Sequence, residues 1–191
     1  MFNPLRSRFV RFVRLTPVRL ARRFARRQDG AAAVEFALVA VPFLALLFAI
    51  VETALVFFAG QSLEAAATES ARKIMTGQAQ MAGYTQSDFK DKVVCDYLRT
   101  GIGLFDCANK VYVSVKTYST FGDITTAAPI QDGKLDTTNL PYQAGQPGDI
   151  VVVQLYYQWP VYVSLLSNNL ANLGGDRLLV ATSVFRNEPY K

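Results

Sequence analysis

The 191-residue sequence contains no histidine, one tryptophan and two cysteines. Without imidazole there is no Ser-His-Asp or Cys-His nucleophile pair, no HExxH zinc site, and no side chain that titrates near neutrality unless strongly perturbed. The 15 acidic residues are scattered, and no pair stands out for carboxylate chemistry. Phosphate-binding glycine loops are missing too: Gly101-Ile102-Gly103 runs on into Leu104-Phe105-Asp106 without a third glycine. The expectation is a protein that is not an enzyme and carries no cofactor or metal. Charge is also scarce, at 18% of residues against 51% apolar and 12% aromatic, a balance that excludes a solvated coil over the whole chain. The length suits one ordinary domain with an appendage.

The formal charge of +5 is unevenly distributed. Residues 1–30 hold nine arginines and a single acid, Asp29, for a net of +8, and residues 31–191 carry a net of −3. After this basic leader comes an apolar stretch. From Phe36 to Val51, sixteen consecutive residues lack any charged or polar side chain, and beyond Glu52 the run resumes through Gly60. A bilayer core takes about 20 apolar residues at 1.5 Å each, so the reading is one membrane-spanning helix over 31–60. A buried core helix rarely lacks polar side chains over four turns. The arginines before the span put the N-terminus in the cytoplasm and the remainder outside. Arg8, Arg11 and Arg14, interleaved with Phe9, Phe12, Val13 and Leu15, suit an amphipathic contact with anionic lipid. A nucleic-acid arm is the competing reading, set aside because a polybasic segment beside a span already has an electrostatic role.

The junction is Arg26-Arg27-Gln28-Asp29-Gly30-Ala31-Ala32-Ala33-Val34-Glu35-Phe36. A secretory signal peptide places its cleavage site after the apolar region; here the distinctive residues precede it. The pattern resembles the processing site of type IV pilin-like proteins, and more closely the Tad (Flp, tight adherence) branch, in which an aromatic residue, here Phe36, follows the glutamate. The resemblance implies cleavage between Gly30 and Ala31 by a prepilin peptidase, with Glu35 becoming the fifth mature residue. A carboxylate driven toward the bilayer centre costs roughly 2.5–3.5 kcal/mol, so Glu35 is expected to pair. The new amine on Ala31, or that of a neighbouring subunit, is the partner that processing would supply. The bland alternative is an interfacial glutamate with no role.

Ala33/Ala37 and Ala45/Ala49 are small residues four apart, which suits close helix packing. Pro42 leaves the Leu38 carbonyl without its intrahelical donor. Glu52 has two open readings, the outer membrane interface or a contact with a partner helix.

Beyond the span, residues 61–191 are expected to form the outer domain. The helix continues to about Gly77 with Leu63, Ala66, Ala67, Ala71, Ile74 and Met75 on one stripe. A second helix is expected from Ser87, as N-cap, to Thr100, with Phe89, Val93, Val94, Tyr97 and Leu98 on one side. Strands are expected at Val111–Lys116, Ile150–Trp159 and Leu178–Phe185. Between the first two lies a segment of about thirty residues rich in Thr, Asp, Gly and Pro, long enough to be functional or mobile. The fold class is α+β, a long N-terminal helix running into a small antiparallel sheet, and pilin-like subunits share that plan. The ending, from Gly148-Asp149-Ile150 to Asn187-Glu188-Pro189-Tyr190, looks like that of TadE-like proteins. Cys95 and Cys107 are expected to form a disulfide in an oxidising exterior, closing a loop of about 13 residues.

The resemblance thus implies a minor pilin or pseudopilin in a pilus assembly pathway. Its partners would be the prepilin peptidase, other pilins or pseudopilins, the Tad inner-membrane assembly machinery and membrane lipid, with no nucleic acid. The alternative is an unprocessed single-span protein with an outer scaffold or binding domain.

Overall fold

The computed structural model describes residues 30–101, 103–162, 171–173 and 175–190; the basic leader through Asp29 lies outside the described residues. The chain divides into two compact units, 1–47 and 48–191. One helix, α1 (Ala31–Met75), runs through the end of the first and the beginning of the second. It passes Pro42 without ending, which bilayer helices tolerate because neighbouring groups satisfy the freed carbonyl. In the first unit every large apolar side chain from Val34 to Leu47 is exposed.

The second unit begins with a change of surface on α1. Glu52, Val56, Ala59, Leu63, Ala66, Ala67, Ser70, Ala71 and Ile74 are buried, at intervals of three and four that place them on one face of a 3.6-residue helix. The stripe matches the sequence expectation from Leu63 to Ile74. It also extends back to Glu52, into the stretch assigned by sequence to the span.

This face packs on a three-stranded antiparallel sheet of order β1-β4-β5, with β1 Val111–Tyr118, β4 Ile150–Pro160 and β5 Asp176–Arg186. Alternation sorts the side chains. Val111, Val113, Val115, Val151, Val153, Leu155, Tyr157, Trp159, Leu179 and Ala181 join the core with α1. Burying a Val or Leu of this kind contributes about 1.5–3 kcal/mol. The expected strands are all present, and the third is longer than its apolar pattern suggested because Asp176, Arg177 and Arg186 continue the ladder at its ends.

The opposite face is covered by the segment that follows β1. Leu135, Leu173, Tyr156 and Leu178 form a second, smaller core, and Gln154 Nε2 donates to the Thr126 carbonyl at 2.9 Å. This cover contains a short hairpin, β2 (Ile130–Gln131) with β3 (Lys134–Leu135), turned by Asp132 and Gly133 at φ 50° and 70°. Positive φ at both central residues is the geometry for which Asp-Gly is suited. Pro141 and Gln143 then bond to Val115 along the edge of β1.

Between α1 and β1 lie α2 (Gln78–Met81), α3 (Gln86–Phe89), a π-helical turn at Lys90–Val94 and α4 (Cys95–Thr100). The expected cap at Ser87 is corrected by the structure: the N-cap is Thr85, which forms a reciprocal capping box with Asp88. Phe89, Val94 and Leu98 are buried as expected, while Tyr97 faces outward. Cys95 and Cys107 are bonded, with their Cα atoms 5.8 Å apart, and fasten this helical segment to the approach of β1.

Candidate functional site

The residues singled out at the junction occupy the first two turns of α1. Gly30 is exposed and directly precedes the helix, with no atom within 4 Å of the place a Cβ would take. Ala31, the first helical residue, is exposed as well, so the Gly30–Ala31 peptide bond is flanked by open positions. Glu35 lies one turn further on the same face as Ala31, as any i, i+4 pair does. It is exposed and forms no ion pair among the described residues. Phe36 beside it is 74% exposed. A carboxylate and an aromatic ring thus stand unburied at the head of an apolar helix, open to a partner outside the chain.

Phe36 to Val51 presents apolar side chains in every direction, and α1 is long and apolar enough to cross a membrane, with none of its most apolar 18-residue window buried in the structure. The one N-terminal apolar helix is compatible with single-pass anchoring. Cys95 and Cys107 belong to the second unit and take no part in the junction; their role is to tie the domain together.

Electrostatics in the domain are local. Arg72 pairs with Glu69 and Lys92 with Asp88, each at 2.7 Å on the surface, where such pairs contribute little. An open groove of about 310 Å³ beside α1 is lined by Phe58, Ser62, Leu98, Leu104 and Phe105 among others. Among the described residues there is no cluster of three or more His, Cys, Asp or Glu that could hold a metal ion.

One polar contact escaped the sequence reading. Glu52 is 5% exposed, and its Oε1 accepts the backbone N–H of Tyr162, just past the end of β4, at 2.5 Å. This gives the residue an intrachain contact, with the carboxylate on the same stripe as Val56, Ala59 and Leu63. The signal was available in those spacings of four, three and four, which place Glu52 in phase with the buried face.

The family model described as TadE-like protein matches residues 30–72. The match runs from the exposed glycine through the apolar stretch and most of the buried stripe, stopping short of the sheet. Over these residues the chain is similar to TadE-like proteins. No curated protein and no solved structure matches the chain.

Proposed function

From a chain that is TadE-like over residues 30–72, we propose a minor pilin or pseudopilin that takes part in assembling a Tad-type adhesive pilus after prepilin-peptidase cleavage between Gly30 and Ala31. The +8 leader orients the chain with its N-terminus in the cytoplasm and presents the junction to the peptidase, which then removes it. The mature subunit is held in the inner membrane by the helix that begins at Ala31, with the sheet domain on the periplasmic side. It acts through assembly contacts with other pilins and with the inner-membrane machinery, not by catalysis.

The observation that carries this reading is the exposed Glu35 at the head of a helix whose large apolar side chains are exposed from Val34 to Val51. The amine created on Ala31 is a cation one turn away, and in an assembly the amine of a neighbouring subunit approaches the same carboxylate. A subunit out of axial register leaves both charges unpaired in a medium of low dielectric, which is costly. The pair therefore sets register.

Intact-mass measurement of the membrane-extracted protein tests the processing step. Loss of residues 1–30 is expected; a full-length mass in cells with an active peptidase sinks the proposal in favour of an unprocessed single-span protein. Glu35→Ala tests the assembly step, with membrane insertion retained and pili lost, and normal pili in that variant would remove the register mechanism.

A further inference from the structure

We propose that the sheet domain is seated in the lipid headgroup layer, with Tyr162, Phe57 and Phe58 as its interfacial contacts and Glu52 as the residue that holds it there. The inference rests on the reading of α1 from Ala31 to Val51 as the bilayer span, ending before the expected residue 60 because the buried stripe begins at Glu52. It adds a second membrane-contact surface, outside the apolar run.

The apolar run ends at Val51, and Glu52 is the next residue. Its buried carboxylate accepts the Tyr162 N–H, so the end of β4 is drawn to the first residue beyond the span. A headgroup layer adds about 5–7 Å outside the hydrocarbon on each side. At about 1.5 Å per helical residue, this equals about three to five residues. Glu52 to Val56 therefore traverse the layer, and Phe57 and Phe58 lie at its outer margin.

The side chains at this level suit it. Tyr162 is 77% exposed, Phe57 71% and Phe58 43%. Tyr is favoured at the membrane–water boundary because its ring is apolar and its hydroxyl reaches water. The exposed phenylalanines, five and six residues beyond Glu52 on α1, gain by leaving water. No charged residue occurs from Thr53 to Leu63 or from Tyr157 to Tyr162, so neither segment carries a charge to be desolvated on contact.

The hydrogen bond has a physical reason at such a boundary. The Tyr162 amide lies beyond the β4–β5 ladder, which ends with Pro160 opposite Asp176. Where water is scarce, a backbone N–H without an acceptor is costly, and so is a carboxylate without a donor. Each meets the need of the other. Glu52 is thus a positioning residue that ties the sheet's membrane-proximal end to the helix.

The test uses the full-length protein in vesicles of phosphatidylethanolamine and phosphatidylglycerol. Cys95 and Cys107 are bonded, so a single added cysteine takes a bimane label at Tyr162→Cys, at Phe43→Cys in the span, or at Gln131→Cys in the exposed hairpin. Nitroxide lipids labelled on the headgroup or deep in the acyl chain, and aqueous iodide, serve as quenchers. The expected pattern is headgroup-nitroxide quenching at 162, deep-nitroxide quenching at 43 and iodide quenching alone at 131. If 162 behaves like 131 while 43 is quenched by the deep nitroxide, the seated domain is overturned and the span stands. Absence of lipid quenching at 43 overturns the span reading and the inference with it. Adding Glu52→Ala should abolish lipid quenching at 162 and leave 43 unchanged, whereas Glu52→Gln, which keeps an acceptor oxygen, should preserve both. Undiminished quenching at 162 in Glu52→Ala, or its loss in Glu52→Gln, overturns the positioning role.

Discussion

The ring of Tyr190 lies directly on Gly77, so closely that a Cβ added to Gly77 would overlap the ring carbons. Gly77 stands where the chain leaves α1, at φ 77°, a conformation that glycine adopts without strain. The Tyr190 hydroxyl donates to the Gly145 carbonyl at 3.1 Å, and the Glu188 N–H donates to the Met75 carbonyl at 2.9 Å. The segment after β5 thereby closes over the end of the long helix. Gly77→Ala is expected to destabilise the domain by about 1–3 kcal/mol through backbone strain and overpacking. Denaturant unfolding measures this. Combining it with Tyr190→Ala should cost less than the sum of the two, since the overlap is then gone.

Replacing both Cys95 and Cys107 with serine should lower stability by about 3 kcal/mol, the loop-closure value for a crosslink of this span. The comparison is between denaturant midpoints of the oxidised protein and the double variant. Equal midpoints would show that the helical segment is held by packing alone.

Acid sensitivity should be traceable to Asp88. Its carboxylate is held down to about 2 from an ordinary 3.8 by the Lys92 ammonium first and then by the Thr85 hydroxyl and N–H. Because the folded-state value is depressed, the stabilisation is fully present above the unfolded value near 3.8 and is lost as pH falls through about 2. Carboxyl-carbon NMR should place the Asp88 midpoint near the lower figure, and Asp88→Asn should remove this part of the acid dependence. A midpoint at the ordinary value would show that the capping box and ion pair are not formed in solution.

Gln154 is buried in β4 and reaches the Thr126 carbonyl at 2.9 Å and the Thr182 hydroxyl at 3.4 Å. Gln154→Ala should leave the carbonyl without its donor, costing about 1–3 kcal/mol, and should loosen the cover over that face of the sheet. Faster limited proteolysis between residues 119 and 148 would register the change; an unchanged cleavage pattern would show that the smaller apolar core is sufficient to hold the cover.

The sequence made periodic features legible and contact-dependent ones much less so. Val111, Val113 and Val115 alternate cleanly, and the stripe from Leu63 to Ile74 keeps helical phase, so each could be placed without knowing its neighbours. Ser87 stands nearer the apolar run than Thr85 does, but the acid three residues after Thr85 is the better sign of the cap. The cover after β1 has no period to read. Its path depends on bonds to a distant strand, such as Val115 N–H to the Pro141 carbonyl at 2.8 Å. At the candidate site, Gly30, Ala31, Glu35 and Phe36 are read from a local motif, and the structure shows them exposed at the head of α1. Glu52 was obscured because hydropathy registers a charge as an interruption, and only helical phase shows that it points inward with Val56 and Ala59.

The two sides of the main core differ greatly in bulk. α1 contributes Ala59, Ala66, Ala67 and Ala71 to it beside the larger Val56, Leu63 and Ile74, while the sheet contributes Val, Leu, Tyr and Trp with the small Ala181. Tolerance to substitution should therefore be lopsided. On the sheet, trimming a side chain such as Leu155 opens a cavity at about 2–5 kcal/mol. At the helix's alanines there is little to trim, and the damaging direction is growth: an added methylene at Ala66 must force helix and strands apart. A mutational scan should show these four alanine positions rejecting large residues where Leu63 and Ile74 on the same helix, and most positions of the sheet, reject small ones.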